Sequence, residues 1–429
     1  MKKEKNKSYI KLLKYSKKYI KYQKIPLILA PLLLLVSIMT PFLIRYFIDD
    51  IIGKNKFSQI LPFFFFFVLV VLLERIISFF VNYGYYKSMN LVVRDEQISM
   101  FNKIMMIPLK DFSHNKVGDF MSRVLSDTLE ASFFLGTGIS LIFYNFIQLI
   151  IVSLVLLFLN WQLALITFIM MPFYYFSLRA FDKSIQKSSE LERNTYSELT
   201  EEFREKVEGL WSIKSFCKET FFSKAFFKKS ESWVGAKNRL SKLNQGAEDF
   251  MSFMYELTPV LVLGYGGYLI LKGDTTLGTL IGFYAYLGWI FTPIRNLSNF
   301  YIQMQRAGQV SNRIFEIHDM PVEDRGKGKS FPVDEYDITF ENICFTYQNL
   351  PILKDINLRI NAKEKVAIVG TSGAGKSSLV NLIPRFYEPS QGLLKIGSFE
   401  VKEYDLEQLR KNVKIVRQND PLFNMSVKE

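Results

Sequence analysis

Six stretches of this chain are apolar over about the 20 residues that a helix needs to cross a bilayer. They fall at 25–46, 60–83, 133–159, 161–181, 253–271 and 277–301. A soluble core cannot bury that much unbroken apolar length, so the chain reads as a membrane protein. The remaining composition agrees: 49% of residues are hydrophobic, with 40 Phe and 22 Tyr among them. The first run follows a basic opening stretch but lacks a small-residue cleavage pattern, so it reads as an uncleaved first span rather than a signal peptide.

The connections between spans set the topology. Spans 1 and 2, 3 and 4, and 5 and 6 are joined by short links, the shortest being the Asn160-Trp161 turn. The links 2–3 and 4–5 are long, polar and helix-like, about 50 and 70 residues respectively. Basic residues crowd the long links: Arg94, Lys103, Lys110, Lys116 and Arg123 in one, Lys183, Lys187, Arg193, Arg204, Lys206 and Lys214 in the other. Residues 1–24 hold ten lysines and one acid, Glu4. Positive residues stay on the cytoplasmic side, which puts the long links and both chain ends on the cytoplasmic side of the cell membrane. Apolar and aromatic residues at Tyr9, Ile10, Leu12, Leu13, Tyr15, Tyr19 and Ile20 interleave the lysines, as in a short amphipathic helix on a membrane face.

A net charge of +13 could point to nucleic acid. Its position beside apolar spans makes anionic lipid headgroups the simpler partner, and no nucleic acid is expected. Cys217 and Cys344 are the only cysteines and show no disulfide or zinc spacing. With His114 and His318 the only histidines, a histidine-rich metal site is excluded.

Hydropathy falls after the sixth span. The domain plan expected is 1–24 as a cytoplasmic amphipathic segment, 25–319 as a transmembrane domain, 320–335 as a linker and 336–429 as a soluble α/β domain. The linker, beginning MPVEDRGKGKSFP, is charged and rich in Gly and Pro. Beyond it come short β-type runs, DITFENICFTY, INLRI and KVAIVG, and then a helical stretch, SSLVNLIPRFY. The fold class is therefore an α-helical membrane protein with six transmembrane helices and long cytoplasmic extensions, followed by a partial α/β P-loop domain.

The run at 365–369 predicts a strand, and it ends in Gly370-Thr371-Ser372-Gly373-Ala374-Gly375-Lys376-Ser377, followed by Ser378. This is the G-x-x-x-x-G-K-[ST] phosphate loop in its proper setting, strand before and helix after. The glycines permit a tight loop whose backbone N–H groups face a phosphate chain. Lys376 brings a flexible positive charge to the β- and γ-phosphates, the Ser377 hydroxyl suits Mg2+, and the helix dipole attracts anions.

With these motifs in order, the chain resembles the ABC exporters that fuse one six-helix membrane domain to one ABC ATPase domain. The resemblance runs the length of the chain. It implies that Tyr347, in ICFTY, is the A-loop aromatic that stacks on adenine. It implies that Gln418, in VKIVRQNDPLF, is the Q-loop glutamine that contacts Mg2+ or the attacking water. IPLKDFSHNKVGDFMSRVLSDT (107–128) and EGLWSIKSFCKE (208–219) resemble the two coupling-helix regions that dock on ATPase domains. Gly397-Ser398 stands where the family often has Asp-Gly, a minor departure.

The implied function is the ATP-binding/permease subunit of an exporter. It would couple ATP binding and hydrolysis to export of a lipid, drug or other amphipathic substrate. ATP and Mg2+ would be cofactors, and a second half-transporter, identical or different, the partner. No LSGGQ signature, Asp-Glu strand or switch histidine follows Gln418. The polypeptide as written is thus not expected to hydrolyse ATP alone, and the motifs read as a domain truncated after the Q-loop. The other reading left open is a catalytically incompetent ATP-binding membrane fragment or a partner-dependent scaffold. A different membrane-tethered P-loop NTPase would not place Tyr347, the phosphate loop and Gln418 in this order. Glu74, Arg75, Glu256 and Arg295 lie within or at the ends of spans, where ionisable residues are functional candidates; they would line a cavity or pair with one another. The lack of a peptidase domain before the first span argues mildly against a peptide-maturing exporter. Which substrate is carried is not written in the spans, since one scaffold serves many cargoes.

Overall fold

The computed structural model describes residues 14–112, 117–331, 336–347, 350–417 and 424–426. It divides into two units, 1–92 with 132–307 and 93–131 with 308–429.

In the first unit, residues Lys17–Tyr22 form a tight helical turn whose lysines are exposed while Tyr19 is fully buried. Residues 1–13 of the segment expected to be amphipathic lie outside the described residues. Gln23 secures the turn. Its amide donates to the Leu135 carbonyl at 3.0 Å, and its Oε1 accepts from the Ser140 amide and hydroxyl at 3.0 and 2.9 Å. A buried amide is tolerable only when its polar atoms are satisfied in this way.

The long helices follow as α1 (Lys24–Tyr46), α2 (Ile60–Ile104), α3 (Thr128–Leu159), α4 (Trp161–Ala180), α5 (Asp182–Glu208), α6 (Glu219–Lys272) and α7 (Leu277–Asp319). Among the described residues, five helices are long and apolar enough to cross a membrane. The fourth expected span is the 20-residue helix α4, which contains the apolar run Trp161–Phe176. Asn160 caps α4 by accepting from Gln162 and Leu163 N–H, both at 3.0 Å, which explains how one residue suffices to turn α3 into α4. The expected long polar links are helical: α2 continues past its apolar part to Ile104, and α5 and the first half of α6 pack on each other, with Lys229 bonded to Glu198 and Trp233 to Glu192.

The core of this unit joins Val152 and Leu156 of α3, Leu163 and Ala164 of α4, Val262 and Leu269 of α6, and Phe283, Leu287, Ile290 and Phe291 of α7. Lipid supplies no hydrophobic drive between helices, so close packing of small residues matters. At Gly136 a Cβ would meet the Met89 backbone at 2.9 Å, which fixes how closely α2 and α3 approach there.

The second unit contains the small sheet. Strands β1 (Ile338–Tyr347), β2 (Leu350–Ile360), β3 (Gln391–Ile396) and β4 (Phe399–Glu400) lie in the order β2-β1-β3-β4, all antiparallel. Helices α8 (Lys376–Leu382) and α9 (Leu406–Asn412) pack on it. The core is Phe340, Ile343, Phe345, Leu353, Leu379, Leu382, Leu394, Ile396, Tyr404 and Leu409, joined by Phe331.

Two expectations need correction. The run 365–369 is not a strand: it pairs with nothing among the described residues, and Val369 is 88% exposed. Unbroken apolar runs of this kind suit strands buried on both faces between neighbours, and a strand without a neighbour has no hydrogen bonds to define it. The helix after the phosphate loop is also shorter than SSLVNLIPRFY. It ends at Leu382, with Pro384 and a left-handed Arg385 (φ 56°) just beyond.

The linker is tied down rather than free. Lys329 N–H donates to the Glu403 carbonyl at 2.7 Å, Asp405 N–H donates to the Lys329 carbonyl at 3.0 Å, and Phe331 packs on Tyr404. Glu323 N–H donates to the Met106 carbonyl at 2.8 Å, and its carboxylate accepts from Arg410 at 2.7 and 2.8 Å and from Arg325 at 2.8 Å. Burial works to raise the pKa of Glu323, but the hydrogen bonds from Arg410 and Arg325 outweigh it and hold the carboxyl below its ordinary value. A depressed carboxylate stabilises the fold above its unfolded pKa and loses that contribution as pH falls through the folded value. We therefore expect Glu323→Gln to remove part of the acid sensitivity of this unit below about pH 5, read from unfolding curves against pH. Curves for variant and wild type that stay parallel down to acid would refute this.

Candidate nucleotide site

The site is built around the β1–β2 hairpin. Tyr347 ends β1 opposite Leu350 of β2, and its ring meets Tyr387 edge-on at 6.1 Å. Tyr387 in turn packs against Phe345 at 5.6 Å. A few residues along β2, Ile352 and Leu353 lie directly beneath Gly375: a Cβ there would meet Leu353 Cδ2 at 2.7 Å and the Ile352 carbonyl at 3.3 Å. The hairpin thus carries the aromatic residue and supports the end of the phosphate loop.

The loop itself is exposed and shaped by two left-handed glycines, Gly373 (φ 83°) and Gly375 (φ 84°). Side chains with a Cβ rarely take that conformation, and at Gly375 the neighbouring β2 leaves no room for one. Within the loop only Ala374 N–H finds a backbone partner, the Thr371 carbonyl at 3.2 Å. Among the described residues the N–H groups of Ser372, Gly373 and Gly375 make no hydrogen bond, and the first N–H groups of α8 have no acceptor inside the helix. Such a row of outward donors at a helix start suits an anion.

Lys376 Nζ reaches back to the Gly370 and Thr371 carbonyls at 2.9 and 2.7 Å. The ammonium therefore sits over the loop, held by exposed carbonyls that water can satisfy when it leaves. Ser377 is exposed and its hydroxyl makes no bond among the described residues; Ser378 is half-buried. Thr371, Ser372 and Ala374 are exposed in the loop. Gln418 lies outside the described residues, so its place beside the loop is left to the sequence reading. No group of three or more metal-ligating side chains occurs among the described residues.

The structure adds a residue that motif reading passed over. Arg410 of α9 bonds Glu323 of the linker and also donates to the Pro384 and Arg385 carbonyls at 3.0 and 3.1 Å. It thereby ties the linker to the turn that ends the phosphate-loop helix. A second set of ion pairs secures part of the first expected coupling region. Arg313 of α7 reaches Asp119 at 3.0 Å and Asp127 at 3.2 Å, and Arg123 reaches Glu316 at 2.6 Å. Residues 113–116 of that region are outside the described residues. In the second expected coupling region, Trp211 and Phe216 are 87% and 74% exposed. No local pattern in the sequence marks Arg410, because its partners lie 25 to 87 positions away.

Of the four charges in the spans, none forms an ion pair with another among the described residues. Glu256 lines a cavity in the first unit; Glu74, Arg75 and Arg295 do not.

Comparison with known proteins matches two stretches of the chain. Residues 25–294 match the family described as ABC transporter transmembrane region, and residues 353–429 match that described as ABC transporter. Over 404 residues the chain is 26% identical to YgaD of Bacillus subtilis (strain 168), named as a multidrug export ATP-binding/permease protein, covering 92% of this chain and 70% of that one. It is 28% identical over 389 residues to the ATP-dependent lipid A-core flippase of Syntrophus aciditrophicus (strain SB), covering 90% and 65%. A multidrug export ATP-binding/permease relative from Staphylococcus aureus (strain NCTC 8325 / PS 47) is 28% identical over 405 residues, covering 92% and 70%. The chain thus spans about two thirds of the length of these relatives. The transmembrane match covers more than half of the sequence, and the chain belongs to the ABC transporter family, as an exporter-type membrane region joined to residues of a nucleotide-binding ABC domain.

Proposed function

We propose that the chain is the ATP-binding/permease subunit of an exporter, working with a second half-transporter to move a lipid, drug or other amphipathic molecule out across the cytoplasmic membrane. The observation that carries the reading is the exposed loop 370–377, with outward N–H groups and Lys376 poised over it, on the same chain as an exporter-type helix bundle. In this reading the backbone of Gly370, Thr371, Ser372, Gly373, Ala374 and Gly375 wraps the phosphates and Lys376 turns from the loop carbonyls to the β- and γ-oxygens. Ser377 and Ser378 open the helix beneath them, and Tyr347 stacks on adenine. The Ser377 hydroxyl and Gln418 would hold Mg2+, which would neutralise phosphate charge. The names of the relatives support an amphipathic cargo, and the N-terminal lysines support a cytoplasmic N-terminus and ATPase domain.

The test is ATP-driven accumulation of a fluorescent phospholipid, and separately of a fluorescent drug probe, in inside-out vesicles bearing the chain joined to the remaining ATPase residues of a relative, which supply the signature motif, the Asp-Glu strand and the switch histidine. We expect accumulation with the wild type and none with Lys376→Ala. Equal signals from the two proteins would overturn the export reading. For the metal, Ser377→Ala should abolish the Mg2+ dependence of nucleotide binding while leaving metal-free binding intact; an unchanged Mg2+ dependence would remove Ser377 from the site.

A further inference from the structure

The stretch 384–390, PRFYEPS, leaves the end of α8 and returns to the end of β1. Pro384 and Pro389 fix φ and lack an N–H, so the stretch extends neither helix nor sheet. Its backbone is nevertheless secured at both ends. At the first, Arg385 N–H donates to the Leu382 carbonyl at 3.0 Å and Phe386 N–H to the Asn381 carbonyl at 3.1 Å. Arg410 adds its bonds to the Pro384 and Arg385 carbonyls and lies over the Phe386 ring at 5.0 Å. At the second, Ser390 N–H donates to the Cys344 carbonyl at 2.8 Å. The Ser390 hydroxyl accepts from Thr346 N–H at 3.0 Å and lies 2.8 Å from the Thr346 hydroxyl. The stretch is therefore a fastened strap between the helix that opens at Lys376 and the strand that ends in Tyr347.

Tyr387 stands at the middle of the strap. Its ring meets Phe345 at 5.6 Å, tilted by 58°, and Tyr347 at 6.1 Å, edge to face at 84°. Phe345 is buried in the core of the sheet and anchors Tyr387, whereas Tyr347 is half-buried at the hairpin end. Strand pairing fixes the Tyr347 backbone, but its side chain still chooses among staggered rotamers. An edge-to-face neighbour at this distance favours one of them. Among the described residues the Tyr387 hydroxyl makes no hydrogen bond, so the ring itself makes the contact.

We propose that Tyr387 is a positioning residue of the nucleotide site: it holds the Tyr347 ring in the orientation that receives a nucleobase, at a distance from the phosphate loop set by the strap 384–390. The inference rests on the reading of Tyr347 as the residue that stacks on adenine. A ring that must be ordered on binding gives up part of its stacking gain to lost side-chain freedom, and a ring already held does not. Tyr387 thus acts on the base end of a nucleotide and not on its phosphate end.

Inorganic tripolyphosphate, a phosphate chain without a base, separates the two ends. Binding of ATP and of tripolyphosphate, each with Mg2+, is measured by calorimetry on the full chain in phosphatidylcholine nanodiscs. Tyr347→Leu is expected to weaken ATP binding about tenfold or more, and Tyr387→Leu about fivefold. Both variants should bind tripolyphosphate as the wild type does. Tyr387→Phe keeps the ring and should keep the wild-type affinity for ATP. In the double variant, Tyr387→Leu should add nothing to Tyr347→Leu, because it acts only through that ring. Equal weakening of both ligands by Tyr387→Leu would make Tyr387 a structural residue, and additive losses in the double variant would put it against the base itself. Either result overturns the inference, as does unchanged ATP affinity in Tyr387→Leu or a loss in Tyr387→Phe, while the reading of Tyr347 stands. Unchanged ATP affinity in Tyr347→Leu removes that reading, and the inference with it.

Discussion

Replacing Lys376 by alanine is expected to weaken ATP binding by about 100-fold, or about 3 kcal/mol, while leaving the fold of the ATPase unit nearly untouched. The separation follows from what Lys376 touches. Among the described residues its ammonium meets only the Gly370 and Thr371 carbonyls, both exposed, so removing it hands those oxygens to water at little cost. Against a nucleotide the same ammonium faces phosphate oxygens, and a hydrogen bond between two charged groups is among the strongest a site can make. Titration of wild type and variant with a fluorescent ATP analogue, beside thermal unfolding of both without nucleotide, checks the two halves together. Unchanged affinity would remove the phosphate-loop assignment. A large fall in unfolding temperature without nucleotide would instead make Lys376 a structural residue.

The opposite balance is expected at Arg410. One guanidinium satisfies both oxygens of Glu323 and the carbonyls of Pro384 and Arg385, and the Glu323 side chain is only 8% exposed. Arg410→Ala leaves that carboxylate with Arg325 alone, whose side chain is 45% exposed. Breaking a buried pair costs more than the pair is worth, because the remaining charge stays desolvated; about 3 kcal/mol of lost stability is expected in the ATPase unit. Nucleotide affinity should fall less, through loosening of the turn after α8, since Arg410 touches none of the loop residues 370–377. Denaturant unfolding of the purified chain, followed by the unit's near-ultraviolet signal, measures the loss. Arg410→Lys should recover only part of it, because an ammonium cannot bridge both Glu323 oxygens in the planar fork that Arg410 provides. Full rescue by lysine would reduce the contact to simple charge pairing.

These two residues show what kinds of information a sequence carries. Lys376 was legible because a phosphate loop is a local object: its glycines, lysine and serine lie within eight consecutive positions. Arg410 was not, because its partners Glu323, Pro384 and Arg385 become neighbours only when the linker folds back onto α9. Apolar length alone likewise located the membrane helices, the fourth among them. The strand expected at 365–369 fails for the reverse reason. Its residues have strand character, but a strand exists only through hydrogen bonds to a neighbour, and no described strand lies beside it.

The phosphate loop and the exporter-type spans were therefore determined by the sequence itself, since both depend on residues close together along the chain. Tertiary structure decided where those parts are held. It set Gly375 on Leu353 of β2, drew the linker onto Arg410, and pinned the N-terminal turn through Gln23. Proximity in space between residues far apart in the chain is what makes each of these contacts, and no local spacing encodes it.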